Sequence, residues 1–427
     1  MPPGVLSGVR VVEVGGQVSA AYCGKVLALL GAEVIKVEPP GGDAARRAGP
    51  FPGNLPHPEK SGLFLALNLN KFGITLDLAL PRDRRRFRTL ARSAAVLVGD
   101  AEEFAAESEA WRRENPDLIV TSVSPFGNWG PYAGFKASDL VLFHMSGQAS
   151  GMLGPVADGD AQPPIRAGGR QAELVTGLAA ATATLMALFR RQQTGQGCHV
   201  QVSGFEAMVT QLISALANCA FDRPPPARVA PAEVVSVGGV LPCRDGHVAI
   251  SPREDAQWAR WVELMGQPAW ASEERFRTRE GRERHLADLW ELVGQWTRLH
   301  GKHGIARRGQ AQRIPCFPVN TVRDLFNDAH LKYRRFFREI EHPVAGPLTY
   351  PGVPYRFSGL ELPLAARPAP LLGEHNARIL GPSAPAASIP RPVPGNTRTG
   401  QVSNRLPLDG VRVVDLSWII AGPTAAR

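Results

Sequence analysis

An α/β fold built on a parallel sheet, with a segment of mixed α+β character after it, is what this 427-residue sequence predicts. Three observations carry the expectation. A β-branched run at Val9 to Val14, an apolar helical stretch at Ser19 to Leu30 and a second strand pattern at Ala32 to Glu38 make a βαβ unit, which implies parallel strands. Strand and helix patterns then keep alternating as far as Ala220. After the breaker Asp222-Arg223-Pro224-Pro225-Pro226 the segments become short and mixed.

Each element has its own signal. The first βαβ unit ends in Pro39-Pro40-Gly41-Gly42-Asp43, a loop at the carboxyl edge of the sheet, where open α/β sheets bind ligands. Ile74 to Leu78 reads as a strand and Asp83 to Ala95 as a helix. Ala95 to Val98 and Leu118 to Val123 are further buried strands. Leu178 to Arg191 is a helix closed by Thr194-Gly195-Gln196-Gly197; His199 to Val202 is a strand, and Glu206 to Ala220 another helix. Val240 to Ile250 reads as a hairpin turning at Asp245-Gly246. The expected domains are a large one over 1–222, a small one over 233–328 and a return to the large one over 329–381. A Pro-rich linker follows at 382–405.

The sequence also repeats itself. Gly410-Val411-Arg412-Val413-Val414-Asp415-Leu416 restates Gly8-Val9-Arg10-Val11-Val12-Glu13-Val14 at a constant offset. One unit is then about 400 residues long, and 406–427 is the truncated start of a second homologous copy. The expectation is a tandem of two such units, cut at Arg427.

Composition narrows the class. Hydrophobic residues make up 44% and charged residues 20%, as in globular proteins. The net charge is +9, and the densest basic run is Arg82 to Arg88. It reads either as a solvated helix face or as a partner for a small polyanion such as a nucleotide with several phosphates. Aromatics are only 7% and are not interleaved with the arginines, which disfavours nucleic acid. Met1-Pro2-Pro3 opens no secretory pattern, and the apolar run Thr176 to Phe189 is too short for a bilayer. Cys23, Cys198, Cys219, Cys243 and Cys316 are scattered without Cys-x-x-Cys, so a reducing cytoplasm is expected, with no disulfides and no membrane.

Several chemistries are disfavoured. Gly15-Gly16 after the first strand, with Glu38 ending the second, lacks the third glycine of a nicotinamide fingerprint. His144, His199, His247, His285, His300 and His303 form no metal-ligand motif, and no metal is expected. No Gly-x-Ser-x-Gly elbow is present. The stretch Gly168 to Val202 is more informative. Glu173 stands just before Thr176-Gly177, where the long Ala-rich helix is expected to start. A carboxylate there either serves as a nucleophile or simply complements the helix dipole.

Linked motifs then resolve the class. They are Leu6 to Val12, Gly31 to Pro39, Gly42-Asp43 with Arg46, Asn68-Leu69-Asn70-Lys71 with Ile74 to Leu78, Ser124 to Gly127 with Gly130-Pro131-Tyr132, Thr194 to Gly197 with Val200 to Ser203, Ile314-Pro315-Cys316 with Pro318-Val319-Asn320, and Gly373-Glu374-His375. In this order and spacing the chain resembles the class III CoA-transferases, the family of formyl-CoA and crotonobetaine CoA-transferases and methylacyl-CoA racemases. The resemblance implies a large domain with a Rossmann-like parallel sheet plus a smaller α+β domain, in an open-ring subunit that interlocks into a homodimer, or pairs with the second copy. It implies acyl-CoA and carboxylic acid substrates, with coenzyme A carried between them. It places the nucleophilic carboxylate at Glu173, in a family that uses Asp. It makes Lys36, Arg46, Asn70 and Lys71 candidates for CoA phosphates, and puts Gln17, Gly238 and Gly239 around the site.

Departures matter too. The family's Ala-Gly-Pro is Ser19-Ala20-Ala21 here but intact at Ala421-Gly422-Pro423, and its Glu-Asn-Phe-type loop is Gly99-Asp100-Ala101. A silent half, with the active Asp in a second copy, is therefore the alternative. Racemase chemistry is disfavoured because Ser138 stands where racemases of the family place a His beside Asp139.

Overall fold

The computed structural model describes residues 4–100, 102–152, 162–221, 239–252, 254–362, 367–381, 406–418 and 421–426. The chain divides into two compact units. One comprises Met1–Ser146, Ala167–Gln211 and Phe336–Arg427, the other Gly147–Arg166 and Leu212–Arg335.

The first unit holds a six-stranded parallel sheet of β1 (Arg10–Val14), β2 (Glu33–Glu38), β3 (Phe72–Thr75), β4 (Val96–Gly99), β5 (Ile119–Ser124) and β6 (His199–Ser203), in the order β3-β2-β1-β4-β5-β6. Helices α1 (Val18–Leu29), α2 (Gly62–Leu67), α3 (Pro81–Arg92), α4 (Glu102–Ala106), α5 (Ser108–Glu114) and α6 (Asp139–Met145) follow in chain order. The short α7 (Gln148–Gly151) lies in the second unit, and α8 (Gln171–Thr194) and α9 (Gly204–Val209) return to the first. Successive strand residues face opposite sides. Val11, Val34, Val96 and Val98 pack with Cys23, Leu27, Ala180 and Ala181 of α1 and α8. Val12, Ile35, Leu97 and Val120 pack with Phe87, Leu90 and Trp111 of α3 and α5. The sheet thus has helices on both faces. Its strand order reverses between β1 and β4, so a crevice opens outside their carboxyl ends.

The elements follow the sequence pattern with three corrections. The strand expected over Ile74 to Leu78 lies at Phe72–Thr75. The helix expected to end at Ala220 breaks after Val209, where the Thr210 hydroxyl donates to the Ala207 carbonyl, and resumes as α10 (Ile213–Ala220). The Ala-rich helix starts at Gln171 rather than near Thr176, because the Asp139 carboxylate accepts from the Ala172 and Glu173 N–H groups and supplies the cap. At 24 residues α8 is long and apolar enough to cross a membrane by composition, unlike the shorter run read from the sequence. It packs instead on α1 and the sheet, burying Thr176, Gly177, Ala180, Ala181 and Thr184.

Gly177 sets that packing. A Cβ there would stand 2.6 Å from the Ser19 carbonyl oxygen and 2.9 Å from Tyr22 Cβ. Gly177→Val is expected to push α8 off α1 and to cost about 1–3 kcal/mol, measured by urea unfolding.

The second unit carries its own small sheet and apolar core. The expected hairpin forms as β7 (Gly239–Cys243) and β8 (Gly246–Ile250), and β8 also pairs with β9 (Cys316–Pro318). Trp261, Phe276, Leu289 and Ile305 fill the core beneath it. In the first unit, β10 (Phe337–His342) and β11 (Gly346–Pro351) add an antiparallel hairpin. The repeated segment behaves unlike its original. Val11 and Val12 are fully buried, whereas Val413, Val414 and Leu416 are exposed and in no strand.

Candidate active site at the carboxyl edge of the sheet

α1 starts and α8 starts at the same edge of the sheet, because each runs antiparallel to the strands it connects. Gln17 is the N-cap residue of α1. Leu174 of α8 packs with Val18, Ala21 and Tyr22, so the first turns of the two helices lie together. Glu173 is one helical turn before Gly177 on the same face, which is the face against α1. Its carboxylate is 18% exposed and receives a hydrogen bond from Arg170 at 2.9 Å, while its backbone N–H is held by Asp139 at 3.2 Å. The reading of Glu173 as a residue preceding the helix is corrected: it is the third residue of α8. Its charge lies in the first turn, where the helix dipole favours an anion.

Two clefts open along the carboxyl edge of the sheet, on the side of α3, α4 and α5. The larger, about 740 Å³, is lined by Gln17, Asp100, Ser122, Asn128, Lys136 and His199, among others. The smaller, about 390 Å³, is walled by Phe87, Phe104 and Trp111, with Val14 and Leu78 at its floor and Arg84 and Arg88 at its rim. The segment over α4 and α5 separates them: Phe104 and Trp111 face one, Ala105 and Ser108 the other.

Gln17 lines the larger cleft. Its N–H donates to Asp100 Oδ2 at 2.7 Å, bridging the loop after β1 to the end of β4. Gly15 is tied to this contact, since a Cβ there would fall on the Asp100 carboxylate. Burial lifts the Asp100 carboxyl to about 6, against the opposing pull of the Gln17 N–H and of Lys36, with Asp43 and Glu13 adding to the rise.

Lys36, Arg46, Asn70 and Lys71 sit differently from the phosphate-binding expectation. Lys36 donates to Gly15 O (2.8 Å) and forms ion pairs with Glu13 (3.0 Å) and Asp43 (2.5 Å). Lys71 gives its three donors to Glu13 (2.7 Å), Ala21 O (2.8 Å) and Asn68 (2.9 Å). Arg46 forks onto Glu38 (2.6 and 2.8 Å), reaches Glu59 (2.6 Å) and stacks on Phe64. Asn70, at φ 65°, exchanges hydrogen bonds with the Arg367 backbone. All four are buried, so their donors hold loops in place instead of facing a ligand. Burial opposes the Lys36 charge, but Glu13 and Asp43 more than offset it and hold its ammonium above the usual range. For Lys71 burial prevails over Glu13 and brings it to about 8. Gly239 stands in β7 against Trp290, and Gly238 lies outside the described residues.

Sequence reasoning passed over several residues of this edge. Arg84 and Arg88 were visible only as part of a basic run, and Phe104 and Trp111 carry no local motif. They meet because α3, α4 and α5 cover one face of the sheet. Among the described residues no His, Cys, Asp and Glu group is arranged to hold a metal.

Comparison with known proteins decides the family. The model of CoA-transferase family III matches residues 6–376. The chain belongs to CoA-transferase family III. A succinyl-CoA:(R)-benzylsuccinate CoA-transferase subunit of Thauera aromatica is 33% identical over 392 residues, covering 87% of this chain and 92% of the relative. A succinate–glutarate CoA-transferase of Agrobacterium fabrum is 30% identical over 389 residues, covering 89% and 95%. Among solved structures, a CAIB/BAIF family protein from Brucella suis superposes with a TM-score of 0.79 at 28% identity, covering 89% of this chain and 99% of that one. The α/β class, the family and its enzymatic character expected from the sequence are thereby shown.

Proposed function

We propose that this CoA-transferase moves CoA from an acyl-CoA thioester to a carboxylic acid through the carboxylate of Glu173. The observation that carries the proposal is the placement of that carboxylate: in the first turn of α8, against α1, at the carboxyl edge of the sheet. A Glu173 oxygen attacks the thioester carbonyl, forming a C–O bond as the C–S bond breaks and CoA thiolate leaves. The thiolate then attacks the Glu173 carbonyl of the anhydride, releasing the acyl group as a carboxylate and leaving a glutamyl thioester. The acceptor carboxylate attacks that thioester, and the returning thiolate takes the acceptor's acyl group, which frees Glu173. Glu places its carboxylate one methylene further out than the Asp usual in the family. Arg170 is the group that steadies it.

The nucleotide end of CoA fits the smaller cleft. Phe87, Phe104 and Trp111 offer an apolar wall for a flat base, and Arg84 and Arg88 offer guanidiniums to phosphates. The pantetheine arm then passes over α4 to Gln17 and Glu173. Arg88→Ala is expected to weaken CoA binding about tenfold by isothermal titration calorimetry, with far-ultraviolet circular dichroism unchanged, because Arg88 is exposed and its loss removes one charge-assisted phosphate contact. Undiminished affinity in both Arg84→Ala and Arg88→Ala would place the nucleotide elsewhere.

Asp100 adds a pH dependence. Its carboxyl ionises near pH 6, and the ionised form opposes an anionic ligand in the adjoining cleft. CoA affinity is therefore expected to fall as pH rises from 5 to 7, and Asp100→Asn to flatten that fall while keeping an acceptor for the Gln17 N–H. Titration of the phosphates is common to both proteins, so the difference between them isolates Asp100.

Action in the cytoplasm and assembly as an interlocked homodimer belong to the same proposal, supported by the free cysteines and by the family. One observation favours a second reading. The exposed, unpaired Val413, Val414 and Leu416 repeat the buried β1, as the first strand of a second homologous unit would. In that reading this unit is the structural half, and the catalytic Asp stands in the other.

A further inference from the structure

On the α4–α5 side of the sheet, one wall of the larger cleft holds a chain of hydrogen bonds in which Glu173 has no part. Asn128 Nδ2 donates to Ser122 Oγ at 2.8 Å, Ser122 Oγ meets His199 Nε2 at 2.9 Å, and His199 Nδ1 meets Ser108 Oγ at 3.2 Å. All four residues line the cleft. They are on the opposite side of the sheet from α8: Thr121 bonds Thr184 of α8 at 2.8 Å, so its neighbour Ser122 points the other way. Asn128 takes one lone pair of Ser122 Oγ and leaves its hydroxyl proton free. In the tautomer with Nδ1–H donating to Ser108, the serine hydroxyl donates to Nε2, and this is the form the reaction uses.

We propose that Ser122 is a second nucleophile with His199 as its base, and that this cleft hydrolyses activated esters and thioesters of small acyl groups independently of Glu173. The arrangement has the parts a serine nucleophile requires: a base within hydrogen-bond reach and a third group orienting that base. Ser122 Oγ attacks the acyl carbonyl and forms a C–O bond while His199 Nε2 takes its proton. The C–S or C–O bond to the leaving group breaks, and His199 returns the proton to that group. Water, deprotonated by His199, then cleaves the acyl-serine to a carboxylic acid and restores Ser122. The net reaction consumes one water and yields an acid and a thiol or alcohol. Burial and the Arg112 charge both hold the His199 pKa below its usual value, which keeps the imidazole neutral and basic at pH 7. Asn128 donates to Ser122 Oγ and fixes the position of the attacking oxygen.

The test uses the whole chain with a fluorophosphonate probe, peptide mapping and p-nitrophenyl acetate hydrolysis. The expected result is a label on Ser122, lost in Ser122→Ala and slowed at least tenfold in His199→Gln. Ester hydrolysis is expected to follow the same pattern and to persist in Glu173→Gln. A label absent or mapped elsewhere would overturn the proposal. So would hydrolysis that survives Ser122→Ala, or that disappears with Glu173→Gln, since water attacking the Glu173 anhydride would then account for it. If Ser122→Ala fails to fold, Ser122→Cys takes its place: its thiol is expected to be alkylated by chloroacetamide in a His199-dependent way, and an inert thiol counts against the proposal.

Discussion

Glu173→Gln is expected to lower kcat for CoA transfer by about a thousandfold or more, with KM for the acyl-CoA nearly unchanged. The amide keeps the size of the side chain and its place in the first turn of α8, but it cannot form the anhydride through which transfer runs. Residues that act as nucleophiles cost this much or more when removed. The Asp139 cap on α8 bonds backbone N–H groups, so the variant retains the geometry of the helix start. Glu173→Asp tests reach: it restores the carboxyl while drawing it back by about 1 Å, a displacement able to change the rate by about a hundredfold. Steady-state assays of succinyl-CoA against a panel of dicarboxylic acids read both variants. Full activity in Glu173→Gln would place the nucleophile at another residue of this chain, whereas a parent chain without transferase activity is the result that favours the second reading.

The largest effect on stability is expected from Glu13→Gln, about 3–5 kcal/mol by urea unfolding. Glu13 is fully buried in β1, between Lys36 at 3.0 Å and Lys71 at 2.7 Å. Gly24 of α1 makes room for it, since a Cβ there would fall on the Glu13 carboxylate. Removing the charge leaves two buried ammonium groups beside Asp43 alone. The sign of the pH effect follows from Lys71, whose pKa is about 8 in the folded chain against 10.5 for an ordinary lysine. The unfolded chain holds that proton more tightly, so the contribution of Lys71 to stability rises with pH between about 8 and 10.5. Without Glu13 the Lys71 amine sheds its proton still more readily. The deficit of Glu13→Gln is therefore expected to shrink from pH 7 to pH 9. Lys36 is raised, so its contribution is present throughout this range and is lost only above it.

The parallel sheet was legible because strands buried on both faces read as unbroken β-branched runs, and Val11-Val12, Val34-Ile35 and Val96-Leu97-Val98 do so. The start of α8 was not legible, because its cap, Asp139, is 33 residues distant from Ala172 in sequence. For the same reason Glu173 was placed before the helix. Lys36, Arg46 and Lys71 read as ligand cations because a sequence shows a charge but not its neighbour. Each meets carboxylates from other strands or loops, and only the folded register brings Glu13 beside Lys36 in the β1–β2 pair. The position of Gln17 at the carboxyl edge was legible, since the loop after the first strand of such a sheet must emerge there. The Ser122–His199 pair joins β5 to β6 and was invisible for want of any local motif; His199 drew attention only as one of several histidines without metal-ligand spacing.

The most direct test of the central claim is intact mass measurement of the purified chain mixed with a panel of acyl-CoAs, followed by hydroxylamine trapping and peptide mapping. The expected result is a covalent adduct that maps to Glu173 and is absent in Glu173→Gln. A chain that stays unmodified across the panel, or an adduct mapped to another residue, would contradict it.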